Sequence, residues 1–314
     1  MAGDYHDRRA SQECPTVDVD GDGKPEVFLV TQRHGPSNAS VVAFNHTGQP
    51  LTGWPQKVGA KTFAAPSLGN VFGDEKLEVV VPDFHDHLLA WTFDGGRFGS
   101  TVAEAQGHGY SGGDDGLSPN QLEQEKCTSI FKDNISCAGP AALVDLDGDG
   151  LAEIIVVDSK TSTLRAWHGD GSGFGGTGAD GIIAHLGDGD VFGVCVAGPD
   201  DDGGVDFFAG NWWVHRDRDG LVDVREMIPR TAQPQDQNRG PAALPASVDT
   251  MCQDTLCDID GDGRAEVLIG TADGRVIVFH TGLKYSEKWA QWPMLGGNRQ
   301  RTGCWRATTA KPAG

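Results

Sequence analysis

Long apolar runs are missing from this 314-residue sequence. No stretch approaches the roughly 18 apolar residues of a membrane-spanning helix, which excludes one. Basic residues are scarce as well. Twenty-five Lys and Arg against 45 Asp and Glu leave a formal charge of −20 and a pI near 4.7. A chain so acidic lacks the basic face that a nucleic-acid backbone requires. Three tyrosines, four methionines and 38% hydrophobic residues speak against a helical bundle, while 45 glycines describe a chain full of turns. The all-β class is favoured. The opening "MAGDYHDRRASQEC" has neither a basic stretch nor an apolar one, so no secretory leader is read there and compartment has to be read from other residues.

Catalytic signatures are also absent. There is no GxSxG elbow, HExxH helix, phosphate-binding Walker loop or dinucleotide fingerprint. Seven cysteines (Cys14, Cys127, Cys137, Cys195, Cys252, Cys257 and Cys304) include no CxxC pair, which weighs against a zinc ribbon or a thioredoxin-like site. Disulfides are the expectation. One pairing among many joins Cys127 to Cys137, Cys252 to Cys257 and Cys14 to Cys304, leaving Cys195 as a buried thiol in "FGVCVAG". Asn38, Asn45 and Asn134 each open an Asn-x-Ser/Thr tripeptide, a glycan acceptor in a eukaryotic secretory pathway and otherwise a common chance occurrence.

What the sequence does contain is a repeat. Its head reads "DVDGDGKPEVFLV" from Asp18, "NVFGDEKLEVVV" from Asn70, "DLDGDGLAEIIVV" from Asp145 and "DIDGDGRAEVLIG" from Asp258, with a fainter copy, "GPDDDGGVDFFAG", from Gly198. Successive heads are 52, 75, 53 and 60 residues apart. The long interval marks an insertion at about 101–137, which carries no head and reads as a loop. The tail repeats too: Phe44, Trp91, Trp167 and Phe279 follow their heads by 26, 21, 22 and 21 residues. Each unit therefore reads as a short strand, an acidic turn, an apolar strand beginning at the Glu, a polar turn and an alternating strand ending on the aromatic. A fourth, outer strand is expected in stretches such as "GQPLTGWPQKVG" and "SEKWAQWPMLGG". Four-stranded units of 50 to 60 residues are the blades of a β-propeller, with the apolar second strand expected near the axis. Five blades are recognisable in one domain spanning 1–314, and six or seven remain open.

In DxDGDGxxE the acids fall at positions 1, 3, 5 and 9, a glycine at 6 permits the tight turn, and a backbone carbonyl is offered at 7. One short loop thus supplies an oxygen cage for a hard cation. The first copy offers Asp18, Asp20, Asp22 and Glu26 with the carbonyl of Lys24. The third offers Asp145, Asp147, Asp149 and Glu153 with that of Leu151, and the last Asp258, Asp260, Asp262 and Glu266 with that of Arg264. Two like charges about 4 Å apart cost roughly 1 to 4 kcal/mol at effective dielectrics of 80 to 20, so four carboxylates in nine residues call for a divalent ion. Calcium is the expected one, at about three sites, because magnesium demands a strict octahedron and zinc prefers nitrogen and sulfur. An EF-hand closes its loop at position 12 and flanks it with helices, whereas "EVFLV", "EIIVV" and "EVLIG" are strand starts. Asp-Gly hairpin turns without any ion are the plainer alternative. The second copy, with Phe72 at position 3, leaves Asn70, Asp74 and Glu78 as a poor cage. The copy at Gly198 lacks the first acid, so Asp200, Asp202 and Asp206 make a weak one.

These residues resemble the FG-GAP/VCBS repeat, the calcium-loop blade of integrin-α-like β-propellers, over about residues 15–303. The resemblance implies an extracellular or cell-surface protein that mediates adhesion or ligand binding; some related propellers are lectins and some polysaccharide lyases. Only the cation ligands transfer, onto the positions named above. Five units in place of the usual seven, and no attached DxSxS domain, set this chain apart from the integrin pattern. The expected function is therefore a secreted calcium-binding recognition or assembly module for a protein or glycan ligand. The alternatives are a lyase-like carbohydrate-active enzyme, for which His108, Tyr110, Arg225 and Arg239 are available, and a purely structural subunit of an extracellular assembly. Trp212, Trp213 and His215 are candidate ligand contacts, with blade packing as the plainer role for the tryptophans. His85 and His87, on one face of a strand with Asp83, read more simply as solvent-facing alternation than as a metal pair.

Overall fold

The computed structural model describes residues 8–10, 14–33, 39–58, 62–96, 137–227, 253–298 and 304–305, less 63, 75, 84–87, 138, 179, 188–190, 199–202, 272–273 and 295–296. It is all-β, with five sheets that succeed one another along the chain as the blades of a propeller. The first holds β1 (Arg8–Ala10), β2 (Thr16–Val17), β3 (Glu26–Arg33), β4 (Ser40–Phe44) and β5 (Gln56–Lys57). The second holds β6 (Ser67–Gly69), β7 (Glu78–Pro82) and β8 (Leu88–Thr92). In the third, β9 (Ala142–Val144), β10 (Glu153–Asp158), β11 (Thr163–Trp167) and β12 (Ile182–His185) lie in chain order. The fourth repeats that order with β13 (Cys195–Ala197), β14 (Val205–Ala209), β15 (Trp212–Arg216) and β16 (Val222–Glu226). The fifth has β17 (Thr255–Cys257), β18 (Arg264–Gly270) and β19 (Val276–Lys284), and β20 (Cys304–Trp305) returns to run parallel to β6 in the second sheet.

Every repeat head falls between the first and second strands of its unit, and the tail aromatics lie on the third strands, Phe44 and Trp167 at their ends, Trp91 one residue short of the end and Phe279 within β19. The second strands are apolar over most of their length, and β7 and β10 are buried at every position because both their faces are covered, while Asp206 interrupts β14. In β7, Val79 and Val81 join a core shared with Phe28, Val41 and Trp54 of the first sheet's unit, while Val80 turns to the core shared with Leu143 and Ile155 of the third. In β14, Phe207 faces the third sheet's core, and Phe208 faces the core of Leu256, Val267 and Ile269 in the fifth. Period-two alternation thus sends successive side chains into the two seams on either side of a blade. Trp54 fastens the first seam: it stacks edge-on against Phe28 at 5.4 Å and Trp91 at 6.2 Å, and its Nε1 donates to the carbonyl of Phe93 at 2.7 Å.

Two features differ from expectation. The strands brought nearest one another between sheets are the short first strands: the Ser67 hydroxyl of β6 donates to the carbonyl of Ala141 beside β9 at 2.7 Å. The apolar second strand lies one place outward, where both its backbone edges find partners. Nor does "SEKWAQWPMLGG" add an outer strand to β19. Residues 286–293 insert between the fourth and fifth sheets instead: Trp292 exchanges two backbone hydrogen bonds with Val196, and Leu256 N–H donates to the carbonyl of Pro293 at 2.7 Å. Trp289 and Trp292 are 6% and 1% exposed there, so the seam hides two indoles that an edge strand would leave half wet. By contrast, "GQPLTGWPQKVG" does supply β5 as the outer strand of the first sheet.

Cys195 is the buried thiol expected, with Sγ 2.9 Å from the carbonyl oxygen of Asp254. No disulfide joins two described side chains; Cys127 and Cys252 lie outside the described residues, and Cys304 is described in its backbone alone. The insertion at 101–136 is likewise outside them.

Asp254 itself is 1% exposed, and neither carboxyl oxygen meets a donor in full hydrogen-bonding geometry. Burial raises its pKa well above the ordinary carboxylate range, with the Gly210 N–H opposing. An acid whose folded pKa lies above its unfolded one holds a proton in the native state that the unfolded chain gives up. Stability is then lost as pH rises through the interval between the two, by up to about 1.4 kcal/mol per pH unit. Asp254→Asn, neutral at all pH, should melt higher than the parent at pH 8 and lose that slope. Melting curves at pH 5 and pH 8 check this, and equal pH dependence in the two proteins would contradict it.

Candidate functional site

The three full DxDGDGxxE loops adopt one hydrogen-bonded form. In the first, Asp18 Oδ1 accepts from Gly21 N–H at 2.8 Å and its Oδ2 from Gly23 N–H at 2.9 Å; Asp20 accepts from Asp22 N–H and Asp22 from Lys24 N–H. The same bonds recur around Asp145, Asp147, Asp149 and Leu151, and around Asp258, Asp260, Asp262 and Arg264. Gly21 and Gly23 have φ of 78° and 82°, values at which a β-carbon is strained, although the space around both is open. The glycines are thus required by backbone conformation and not by crowding.

This turning brings one carboxylate oxygen from each of Asp18, Asp20 and Asp22 within 4.8 Å of the others, and likewise for Asp145, Asp147 and Asp149 and for Asp258, Asp260 and Asp262. Oxygens bound to one calcium at 2.3–2.6 Å stand at most about 5 Å apart, so these spans fit a single coordination sphere. The donors are oxygen throughout the triads, which suits a hard cation.

The fourth acid of each loop takes a different place. Glu26, Glu153 and Glu266 open the second strands and are 2%, 1% and 0% exposed. Each brings Oε2 to the N–H at position 2 of its own loop: Val19 at 3.0 Å, Leu146 at 2.6 Å and Ile259 at 3.1 Å. They brace the loops from beneath. Glu153 also joins Asp147 and His168 in a group whose ligand atoms lie within 4.8 Å of one another. Burial pushes the Glu153 carboxyl up to about 8, with Asp147, Asp145 and Asp149 adding to the rise against the Leu146 N–H. Burial likewise raises Glu26, helped by Asp20, Asp22 and Asp18. Concentrated negative charge of this kind is what a bound divalent ion offsets.

His168 and His280 belong to the same constructions and are not marked by the repeat head. His168 Nδ1 lies 3.1 Å from Glu153 Oε1, and His280 Nδ1 lies 3.1 Å from Glu266 Oε1. A signal existed: each histidine directly follows the tail aromatic, Trp167 or Phe279, on the strand paired with the Glu. Where Asn45 or Thr92 holds that place, the side chain caps its own turn.

The second loop keeps the turn without the cage. Asn70 accepts from Gly73 N–H and Asp74 from Lys76 N–H, Glu78 Oε2 accepts from Val71 N–H at 2.8 Å, and Phe72 packs into the core. Lys76 Nζ stands 3.8 Å from Asp74. Glu78 Oε1 is buried with no partner, and burial raises that carboxyl to about 7. In the fourth unit Asp200 and Asp202 lie outside the described residues. Asp206 is buried and accepts from Trp213 Nε1 at 2.7 Å, with His215 Nδ1 at 3.0 Å.

Trp212 and Trp213 point to opposite seams. Trp212 packs with the third sheet's core and against Gly187; Trp213 lies between Phe208 and the guanidinium of Arg225, which is itself paired with Asp223. Both act as packing residues of their blade. Asn45 sits in the turn after β4, its Oδ1 accepting from the Thr47 hydroxyl at 2.7 Å. Asn38, Asn134, His85, His87, His108, Tyr110 and Arg239 lie outside the described residues.

No family model matches the chain, and no curated protein does either. Among solved structures it is similar to the V. cholerae biofilm matrix protein Bap1, at 14% identity and a TM-score of 0.47 over 82% of this chain, and it spans only 34% of that one. It is similar also to BBS1N in a complex with ARL6DN, at 12% identity and a TM-score of 0.41, covering 88% of this chain and 80% of that one.

Proposed function

We propose that the chain is a calcium-stiffened propeller of the FG-GAP/VCBS kind that serves outside the cell as a recognition or assembly module for a protein or glycan. The observation that carries this reading is the threefold recurrence of one aspartate triad, on one hydrogen-bonded loop, between the first and second strands of three blades. Such loops join strands that the seams already hold. An ion held there ties the two strands of a hairpin together at its exposed end. Asp18, Asp20 and Asp22, with their counterparts in the third and fifth blades, would hold it, while Glu26, Glu153 and Glu266 keep the loops in shape. When bound, calcium supplies charge neutralisation and cross-linking of the loop. A rigid scaffold then presents the remaining loops to a ligand.

Calcium titration of the metal-free protein by calorimetry should give about three sites. Asp147→Ala should remove one, and Asp74→Ala none. A stoichiometry of zero, or equal loss from both variants, would overturn the reading. Binding to immobilised glycans without turnover supports the recognition role, whereas release of unsaturated oligosaccharides from a polysaccharide would establish the lyase alternative.

A further inference from the structure

The third strand of the fifth sheet is unlike its counterparts. β8 is buried at four of its five residues and β11 at all five, whereas β19 has no buried residue and alternates between exposed and partly exposed along its nine. Among the described residues no strand pairs with its outer edge. Val276 and Val278 are 70% and 41% exposed on one face. On the other, Ile277, Phe279 and Leu283 reach the core of the fourth and fifth sheets but are only partly covered by it. Val276–His280 runs in regular register with β18 and presents about 17 Å of unpaired backbone; beyond it the strand bulges at Gly282, with φ of 77°, before Lys284.

Charge indicates what covers it. In a protein of net charge −20, the segment Arg275–Lys284 contains no acid. Arg264 and Lys284 stand directly opposite one another across β18 and β19, and neither forms an ion pair with a described residue. Arg264 Nη1 is turned onto the carbonyl of Gly282 at 2.5 Å. Two like charges facing one another in a sheet destabilise it unless an anion lies between them. A second copy pairing antiparallel through β19 would set His280 against its own duplicate and Lys284 against Val276 of the copy, and the segment Arg275–Lys284 has no carboxylate to offer either cation.

We infer that the outer edge of β19 receives an extended segment of a partner protein as a fourth strand, one carrying carboxylates at the end that meets Lys284 and β-branched apolar residues at the end that meets Val276. Outer strands β12 and β16 run antiparallel to their neighbours, and the same sense at β19 places the acids first in the incoming segment. Main-chain hydrogen bonds would give affinity, and the acidic-then-apolar order would give specificity.

The probe is a fluorescent nonapeptide, Glu-Thr-Glu-Thr-Thr-Thr-Val-Thr-Val, beside one with Lys in place of both Glu, each added to the full chain with calcium present. Saturable anisotropy is expected for the acidic peptide, with binding of the basic one weaker by about tenfold or more. Val278→Lys should abolish binding, and Lys284→Glu should reverse the preference between the peptides. Melting curves confirm that both variants are folded, and Lys284→Glu keeps the test decisive if Val278→Lys is not. Equal binding of the two peptides, no binding of either, or unaltered binding to Val278→Lys would overturn the inference. So would a concentration-dependent dimer that Val278→Lys disperses, since the edge would then belong to a second copy.

Discussion

Adding a chelator to the calcium-loaded protein should lower its melting temperature by roughly 15–30 °C. Each ion bound only by the folded state contributes about 2.7 kcal/mol at a hundredfold excess over Kd, and three triads act independently because they lie in three different blades. A stability change of 1 kcal/mol moves the midpoint of a large domain by about 2–4 °C. The unfolded chain cannot compete for the ions, because the carboxylates of each loop converge only after glycines such as Gly21 and Gly23 take their left-handed conformations. Differential scanning calorimetry with and without EDTA is the measurement. A midpoint that does not move would mean that these loops are ordinary hairpin turns, whose aspartates are satisfied by their own backbone N–H groups. Magnesium should restore only part of the shift, since its shorter bonds and octahedral demand suit the 4.8 Å spans poorly.

Arg165→Met should cost about 3–5 kcal/mol, the largest loss expected from any single side chain away from the loops. Arg165 is 6% exposed on β11, and Asp158, at the end of β10, is 0% exposed. Their ends meet at 3.2 Å, while Nε donates to the Thr163 hydroxyl at 2.9 Å and Nη1 to the carbonyl of Asp180 at 3.1 Å. Asp158 also accepts from the Thr161 hydroxyl. The group is held among buried side chains that include Asp83 and Cys137, whose thiol is pushed up by burial and by both carboxylates. Removing the guanidinium therefore strands a carboxylate where water cannot reach it. Adding Asp158→Asn to Arg165→Met should recover part of the loss, because a neutral amide carries less of the desolvation cost. Urea midpoints for the two variants check both statements; a loss below 1 kcal/mol for Arg165→Met would show that the pair contributes little.

The blades were legible because two independent signals keep register in the sequence. The acidic head requires glycines and carboxylates at fixed offsets, and the second strand, lying between two seams, is apolar along most of its length. Val79, Val80 and Val81 show this most plainly, dividing themselves between two cores. The outer strands were harder to read. An outer strand such as Val222–Glu226 is mostly exposed, so solvent places little demand on its composition. The place of Trp289 and Trp292 was unreadable for another reason: an aromatic cluster states that it is buried but not in which seam. The contacts of Glu153 with His168 and of Glu266 with His280 join residues 15 and 14 positions apart. Their meeting depends on the strand pairing, which a motif search within one loop does not see. Arg165 fell inside an alternating strand where a long cation ordinarily faces water, and nothing local distinguishes it from one that does.

The late position of residues 286–305 bears on how the protein is made. Trp292 bonds to Val196, about a hundred residues before it, and Cys304–Trp305 lies beside Ser67–Gly69, from the first quarter of the chain. On the ribosome, early hairpins can zip as they emerge, but the edges of the second and fourth blades that Cys304–Trp305 and Trp292 cover stay bare until those residues have been made. A chain cut after 285 should therefore be open to protease, and one that runs on through 305 should be closed.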